Sequence, residues 1–445
     1  MIDLYRFKKN IKIMTSIAIN FHQKNCIKTI FMVLLILGCQ HFLNASNNQV
    51  SKDSIGFEKY SGKVIDGKTR KTLISATITI NGTNISTITN TQGKYLLKVP
   101  KNIKNNTVTI SYLGYTSKVI NLSNLKLKST IKLETYIEEL SEVKITVKDA
   151  KSLILEVLKR KGKNYFNELT TMTAFYRETI KKRRTYVSLS EAVIEINKQS
   201  YTNIKKDILK LHKSRKKTDY KRLDTVAFKL KGGPFNSIYI DIMKNPQFFF
   251  SDDVTELYDF TFGENTKIDN RPIYVVNFKQ KSHLKTPLFY GKLYIDAQSL
   301  ALTNARFKLN LENKKLASKH FIVKKPKGVD VIPVEAEYQI DYRFKDGKWF
   351  NGYSKIELGF KIDWDKKLFN TIYYTTIEMA ITDWKKNPEK KLFRPKNRLR
   401  SSVILADKTS GFSDPEFWGE YNVIEPEKSI ESAIKKIKKQ LKRIK

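Results

Sequence analysis

The histidines are the first residues to test for chemistry, because the chain holds only five and two of them, His22 and His41, fall before residue 46. A hydrolytic zinc centre needs three protein ligands and an open position. Its usual sources are a His and a Glu three apart with a distant second His, or two His on one helix flanking a Glu. Three residues beyond His212, His283 and His320 stand Arg215, Thr286 and Val323, and no His-Glu-x-x-His occurs. Paired carboxylates come next. Asp252-Asp253 and Asp363 with Asp365 could serve acid/base work or a calcium ion, yet neither pair sits in a run of oxygen ligands, so both are expected in loops. Arg177 and Glu178 adjoin in an apolar stretch and are expected to form an ion pair inside a sheet, since internal charges are normally paired. Both cysteines, Cys26 and Cys39, also fall before residue 46. No catalytic residue, metal set or cofactor is therefore expected.

The first 45 residues read as an export leader. Lys24 and Lys28 precede the apolar run Ile30 to Gly38, which is shorter than the roughly 20 residues a bilayer-spanning helix needs. Leu43-Asn44-Ala45 offers a small residue before a cut at Ser46, and the long basic region ahead points to Met14 as an alternative start to Met1. Ile36-Leu37-Gly38-Cys39 is a competing site at which Cys39 would carry lipid, although Leu37 is bulky where a small residue is usual. After Ala45 there is no thiol, hence neither a disulfide framework nor a thiolate metal site.

Lys and Arg number 83 against 44 Asp and Glu, a formal net charge of +39. An excess of this size invites an anionic partner, and export narrows the choice to an envelope protein, anionic lipid or polysaccharide, with no nucleic acid. The charge is spread, so much of it is expected to be solvated surface. The tracts Lys181 to Arg184 and Lys213 to Lys217 are read as hairpin faces. At the end, about 426–445, Ile430, Ile434, Ile437, Leu441 and Ile444 make one stripe of a helix whose other faces are mostly Lys and Arg. Packing on a sheet and association with a membrane surface both fit that helix.

Between 57 and 146 the pattern is of short strands. Ala76, Ile78 and Ile80 alternate with threonines before Asn81-Gly82, while Tyr95, Leu97 and Val99 share a face after the turn Asn90-Thr91-Gln92-Gly93. Val108, Ile110 and Tyr112 repeat the alternation before Gly114. About seven strands in some 90 residues is the arithmetic of a β-sandwich, and Gly93 is the residue best suited to a turn position of positive φ. Gly62-Lys63-Val64-Ile65-Asp66, Ala76 to Ile80, Thr87 to Tyr95 and Ile110 to Tyr115 resemble, in that order, the carboxypeptidase regulatory-like domain, a transthyretin-like sandwich. The resemblance implies a seven-stranded scaffold that brings no catalytic residue. Such domains stand beside the catalytic domain of metallocarboxypeptidases and at the front of many outer-membrane transporters. The histidine spacings give no sign of the accompanying peptidase.

From 150 to the end the fold class is α+β with a large antiparallel sheet, so the chain is mainly β. Asp149 is placed to cap a helix carrying Leu153, Ile154, Val157 and Leu158, ending at Lys159-Arg160-Lys161 and Gly162. Alternating segments at 186–196, 273–278, 288–295, 301–309, 334–342, 353–360 and 368–381, with breaks at Gly291, Asp296 and Gly347, predict about eight to ten strands. Lysines recurring within the strands and the basic helix at the end argue against a transmembrane barrel. Phe175-Tyr176-Arg177-Glu178, Phe289 to Asp296 and Phe417-Trp418-Gly419-Glu420-Tyr421-Asn422 are similar to a family of uncharacterised Gram-negative envelope proteins, which implies no activity. Residues 291–296 and the strand after them also resemble, in fold only, the curved sheets of periplasmic lipoprotein carriers.

These observations point to a non-enzymatic envelope protein, exported to the periplasm or outer membrane, that binds, docks or assembles. Gly93, Tyr95, Phe175, Tyr176, Arg177 and Glu178 are its signature positions. A hydrolase of cell-wall or glycan material and a carrier of an apolar ligand are the alternatives. An apolar concave pocket would favour the carrier, and two carboxylates facing each other across a cleft would favour the hydrolase.

Overall fold

The computed structural model describes residues 56–445 apart from 126–127, 137–148, 219–232, 251–256, 269–270, 322–326, 366–368, 406–416, 428–429 and 433–445. The expected leader with Cys39, the pair Asp252-Asp253 and most of the expected terminal helix thus lie outside the described residues. Of the stretch 426–445 only Pro426, Glu427 and residues 430–432 are described; 430–432 are helical and the first two are not.

Seven strands build the first sheets: β1 (Phe57–Asp66), β2 (Thr77–Ile80), β3 (Ser86–Ile88), β4 (Lys94–Pro100), β5 (Thr107–Ser111), β6 (Lys118–Asn121) and β7 (Ser129–Leu133). They form a three-stranded sheet β4-β1-β7 and a four-stranded sheet β3-β2-β5-β6. Alternation decides the packing. Ile78 and Ile80 of β2, Leu97 and Val99 of β4, and Val108 and Ile110 of β5 turn inward to one apolar cluster, while the intervening threonines stay half-exposed. Gly93 takes the left-handed conformation, φ +70°. A Cβ there would stand 2.6 Å from the Val64 carbonyl oxygen, so both backbone and space demand glycine.

The larger sheet has eleven strands, all antiparallel. Nine follow from β8 to β16: β8 (Thr170–Lys182), β9 (Thr185–Lys198), β10 (Ile208–Thr218), β11 (Tyr258–Phe262), β12 (Thr266–Ile268), β13 (Arg271–Gln280), β14 (Phe289–Asp296), β15 (Leu302–Leu309) and β16 (Val329–Lys345). They are completed by β17 (Lys348–Trp364) and β18 (Thr371–Lys386). The order is β10-β9-β8-β18-β17-β16-β15-β14-β13-β11, with β12 on β13. The hairpin β16–β17 turns at Asp346-Gly347, both at positive φ, the chemistry that a tight two-residue turn asks for. Gly291 lies inside β14 and not at a break, because its register continues on both sides against Phe278 and Phe307.

Among the described residues the sheet is accompanied by α1 (Ala150–Lys159), α2 (Lys161–Asn164), α3 (Pro234–Tyr239) and α4 (Lys314–Phe321). Asp149 caps α1 as its position requires, its carboxylate accepting from the Ser152 amide at 2.7 Å. Gly162 does not end the helical stretch but sits within α2, after a break at Arg160. Leu153, Ile154 and Val157 of α1 and Phe235 and Ile238 of α3 join the main core on one face of the sheet. No described helix is long and apolar enough to cross a membrane.

The opposite face is also covered. Phe175 of β8, Val193 of β9, Tyr353 of β17 and Ala380 of β18 pack with Ile88 of β3 and with Trp418, Val423 and Ile424. Strands β8 and β9 are consequently buried on both faces through most of their length, and the sandwich belongs to the same compact unit as the sheet.

Candidate functional site

Tyr176 and Glu178 face the helix side, and Phe175 and Arg177 face the sandwich, because successive residues of a strand point to opposite faces. Arg177 and Glu178 therefore do not pair. Arg177 instead bonds Glu191 across the β8–β9 ladder, Nε to Oε1 at 2.8 Å, and Arg215 of β10 takes the other oxygen at 2.8 Å. The trio is almost fully buried. Arg177 also donates to the Ile424 carbonyl at 2.7 Å, and the Arg215 guanidinium lies 4.7 Å from the Trp418 ring centre. Lys213 reaches the Phe417 carbonyl at 3.2 Å. Thus the basic run on β10 is not simply a solvated face: Lys213 and Arg215 anchor the segment 417–425.

That segment is a strap. Asn422 accepts from the Lys98 amide at 2.7 Å and donates back to the Lys98 carbonyl at 3.1 Å, pairing with β4 as a strand residue would. Asn90 of the Gly93 turn donates to the Glu425 carbonyl at 2.9 Å. Tyr95 lies at the sandwich core with its ring against Gly62, its hydroxyl pushed up to about 12 by burial. The signature Phe417 to Asn422 and the turn around Gly93 thereby meet at one interface, whereas Glu178 lies on the other side with Tyr176. Its carboxyl is pushed up to about 7 by burial, with the hydrogen bond from Tyr176 at 2.9 Å opposing the rise.

Of the remaining sequence candidates, His212 bonds Tyr421 at 2.9 Å, His283 lies between β13 and β14, and His320 lies in α4. Asp363 faces Asp330 across the β16–β17 ladder, and Asp365 follows in the turn beside Gly328. Among the described residues no group of three or more His, Cys, Asp or Glu is placed to hold a metal ion.

The structure brings together a different set, at the end of β9. Lys198 is buried with its Nζ 2.9 Å from Asp207 and 2.8 Å from Asp241. Burial opposes its charge, but the two carboxylates prevail and hold it above the ordinary lysine range. Tyr201 and Tyr342 donate to Asp241 at 3.0 and 2.8 Å, and the Gln199 amide donates to Asp207 at 2.8 Å. A buried ion pair with satisfied lone pairs fixes geometry more than it adds stability. What it fixes here are two loops, 199–207 and 240–248.

Between those loops opens a cavity of about 530 Å³, within the size range of small-molecule sites. Its apolar walls include Ile208, Phe235, Ile238, Tyr239 and Leu399, and its cations are Lys161, Lys205, Lys206, Lys244 and Arg398. Asp207 is the one acidic residue among the described residues that line it, and that carboxylate is committed to Lys198. Among the described residues no carboxylate makes an ion pair with any of the five cations. Lys244 donates to the backbone carbonyls of Ser200 at 2.5 Å and Asn203 at 2.8 Å. Burial lowers it to about 8, and burial likewise lowers Lys161. The sequence contained this site only as scattered lysines. Lys198, Tyr201 and Asp207, close together in sequence, were its one local signal.

Residues 60–147 match the family model of the CarboxypepD_reg-like domain. A search of curated proteins finds no match to the chain. Among solved structures, it is similar to a DUF1329 family protein from Desulfovibrio piger, at 11% identity and TM-score 0.24, over 54% of this chain and 94% of that one. Lipovitellin is similar at 10% identity and TM-score 0.26, over 56% of this chain and 28% of its own. A LolA superfamily protein from Nitrosomonas europaea is similar at 9% identity and TM-score 0.22, over 56% and 99%. Likenesses this distant carry no conclusion about function.

Proposed function

We propose that this is an exported, non-catalytic binding protein of the cell envelope whose cavity holds an anionic amphiphile, a molecule with one acidic head and an apolar tail. The observation that carries the reading is the cavity lining, in which five cations that make no ion pair among the described residues stand with apolar walls. A charged head would gain charge-assisted hydrogen bonds from cations such as Arg398, in the field of the Lys244 ammonium, which donates to Ser200 and Asn203, and the tail would gain by leaving water. A hydrolytic pair would need carboxylates open to substrate, but Asp207 and Asp241 are both spent on Lys198. The export leader and the resemblance of residues 150 to 440 to envelope proteins support the location. The sandwich acts as a brace, because its β3 face is engaged by the chain's own sheet and strap.

Titration calorimetry with dodecanoate below its micellar concentration tests this. Saturable binding is expected, with an uncharged twelve-carbon alcohol at least tenfold weaker. Affinity should fall as pH rises through about 8, where Lys244 loses its proton, and Lys244→Met should remove that dependence. Equal affinity for the acid and the alcohol, or no binding of either, would overturn the reading.

A further inference from the structure

The mouth of the cavity carries two residues that its interior does not need. Ile204 is fully exposed and Phe248 is 58% exposed, and both stand at the opening among Lys205, Lys206 and Arg398. A single exposed apolar side chain calls for no explanation; two at one opening, ringed by cations, form an amphipathic rim. The rim is also held in place. Thr202 donates its amide to the Ser200 hydroxyl at 3.0 Å, and the Lys205 amide donates to the Asn203 side chain at 3.0 Å. Lys244 grips the carbonyls of Ser200 and Asn203 from within, so the turn cannot fold Ile204 back onto the core without breaking these bonds. Phe248 projects from a short turn whose next two residues, Phe249 and Phe250, are buried.

We propose that this rim docks on an anionic lipid bilayer, Ile204 and Phe248 entering the acyl region while Lys205, Lys206 and Arg398 meet headgroup phosphates. Charge complementarity selects the occupant: among the described residues the exposed charges that line the opening are cations, and an anionic bilayer presents phosphate above hydrocarbon in that same order. The inference deepens the amphiphile-binding reading, on which it rests, by setting the cavity mouth against the surface from which such a ligand would come.

The test is flotation of the full-length protein with vesicles of phosphatidylglycerol and phosphatidylcholine, against vesicles of phosphatidylcholine alone. Binding to the anionic vesicles is expected, at least tenfold stronger than to the neutral ones. Ile204→Asp with Phe248→Asp should lose at least tenfold, and Ile204→Leu should keep wild-type binding, with thermal melts checking that each variant is folded. Ile74→Asp, at an exposed apolar position elsewhere, controls for added charge and should bind as the wild type does. Undiminished binding by the double variant, or no preference for anionic vesicles, overturns the docking. Dodecanoate calorimetry on the wild-type protein separates the two ideas: vesicle binding without dodecanoate binding sinks only the cavity reading, and the reverse sinks only the rim.

Discussion

Glu178 shows how one residue's burial becomes a property of the whole protein. In the unfolded chain its carboxyl titrates near the ordinary glutamate value of 4.5, and in the fold burial lifts it to about 7. Between those values the folded state holds the proton that the unfolded state has released, so this group makes stability decline as pH rises from about 4.5 to 7, and the deficit persists above. Glu178→Gln keeps an acceptor for Tyr176 without the charge. It should match the wild type near pH 4.5 and exceed it at pH 8 by a few kcal/mol, on the order of the shift itself. Denaturant melts at the two pH values decide this, and a gap of the same size at both would refute it. Lys198 is the opposite case, a buried charge fully answered. Lys198→Met leaves Asp207 and Asp241 without their cation and should cost about 3–5 kcal/mol. In the same melts, a loss below 1 kcal/mol would mean that the network is looser than its distances show.

At the level of elements, the strap 417–425 joins parts that are otherwise distant in sequence. Trp418 is packed edge-on against Phe175, with ring centres 5.5 Å apart, and it covers the Arg177–Glu191–Arg215 trio. Trp418→Ala should cost about 3–5 kcal/mol, the usual range for emptying a buried aromatic site, and should expose the strap to limited proteolysis. A variant as protease-resistant as the wild type would deny the strap that role. Local signals were legible in the sequence: Asp149 capped its helix, the Gly93 turn took positive φ, and alternation located seven of the larger sheet's strands. Period two also held the means to reject an Arg177–Glu178 pair, since neighbours on a strand face apart. What could not be read was anything assembled across hundreds of residues. Phe417 to Asn422 stood out as a motif, but its partners Lys98, Lys213 and Arg215 are named by the fold alone. The cavity walls likewise come from four separate stretches, near 160, 200, 240 and 400.

For the whole molecule, the sandwich and the large sheet should unfold as one. Residues of both regions share a buried cluster, and their polar contacts extend well beyond it. Asn84 donates to the Trp384 carbonyl at 2.8 Å, Gln339 to the Ser75 hydroxyl at 2.9 Å, and the Gly114 amide to the Lys267 carbonyl at 2.8 Å. Breaking the sandwich away would uncover Phe175, Val193 and Tyr353 together with the buried Arg177–Glu191–Arg215 charges, a cost that couples its stability to that of the sheet. Differential scanning calorimetry should therefore show a single transition whose calorimetric and van't Hoff enthalpies agree. Trp418→Ala, by loosening the layer between them, should split it into two. Two separate transitions in the wild-type protein would mean that the sandwich is tethered and not braced, and that the face of β3 is free for some other surface.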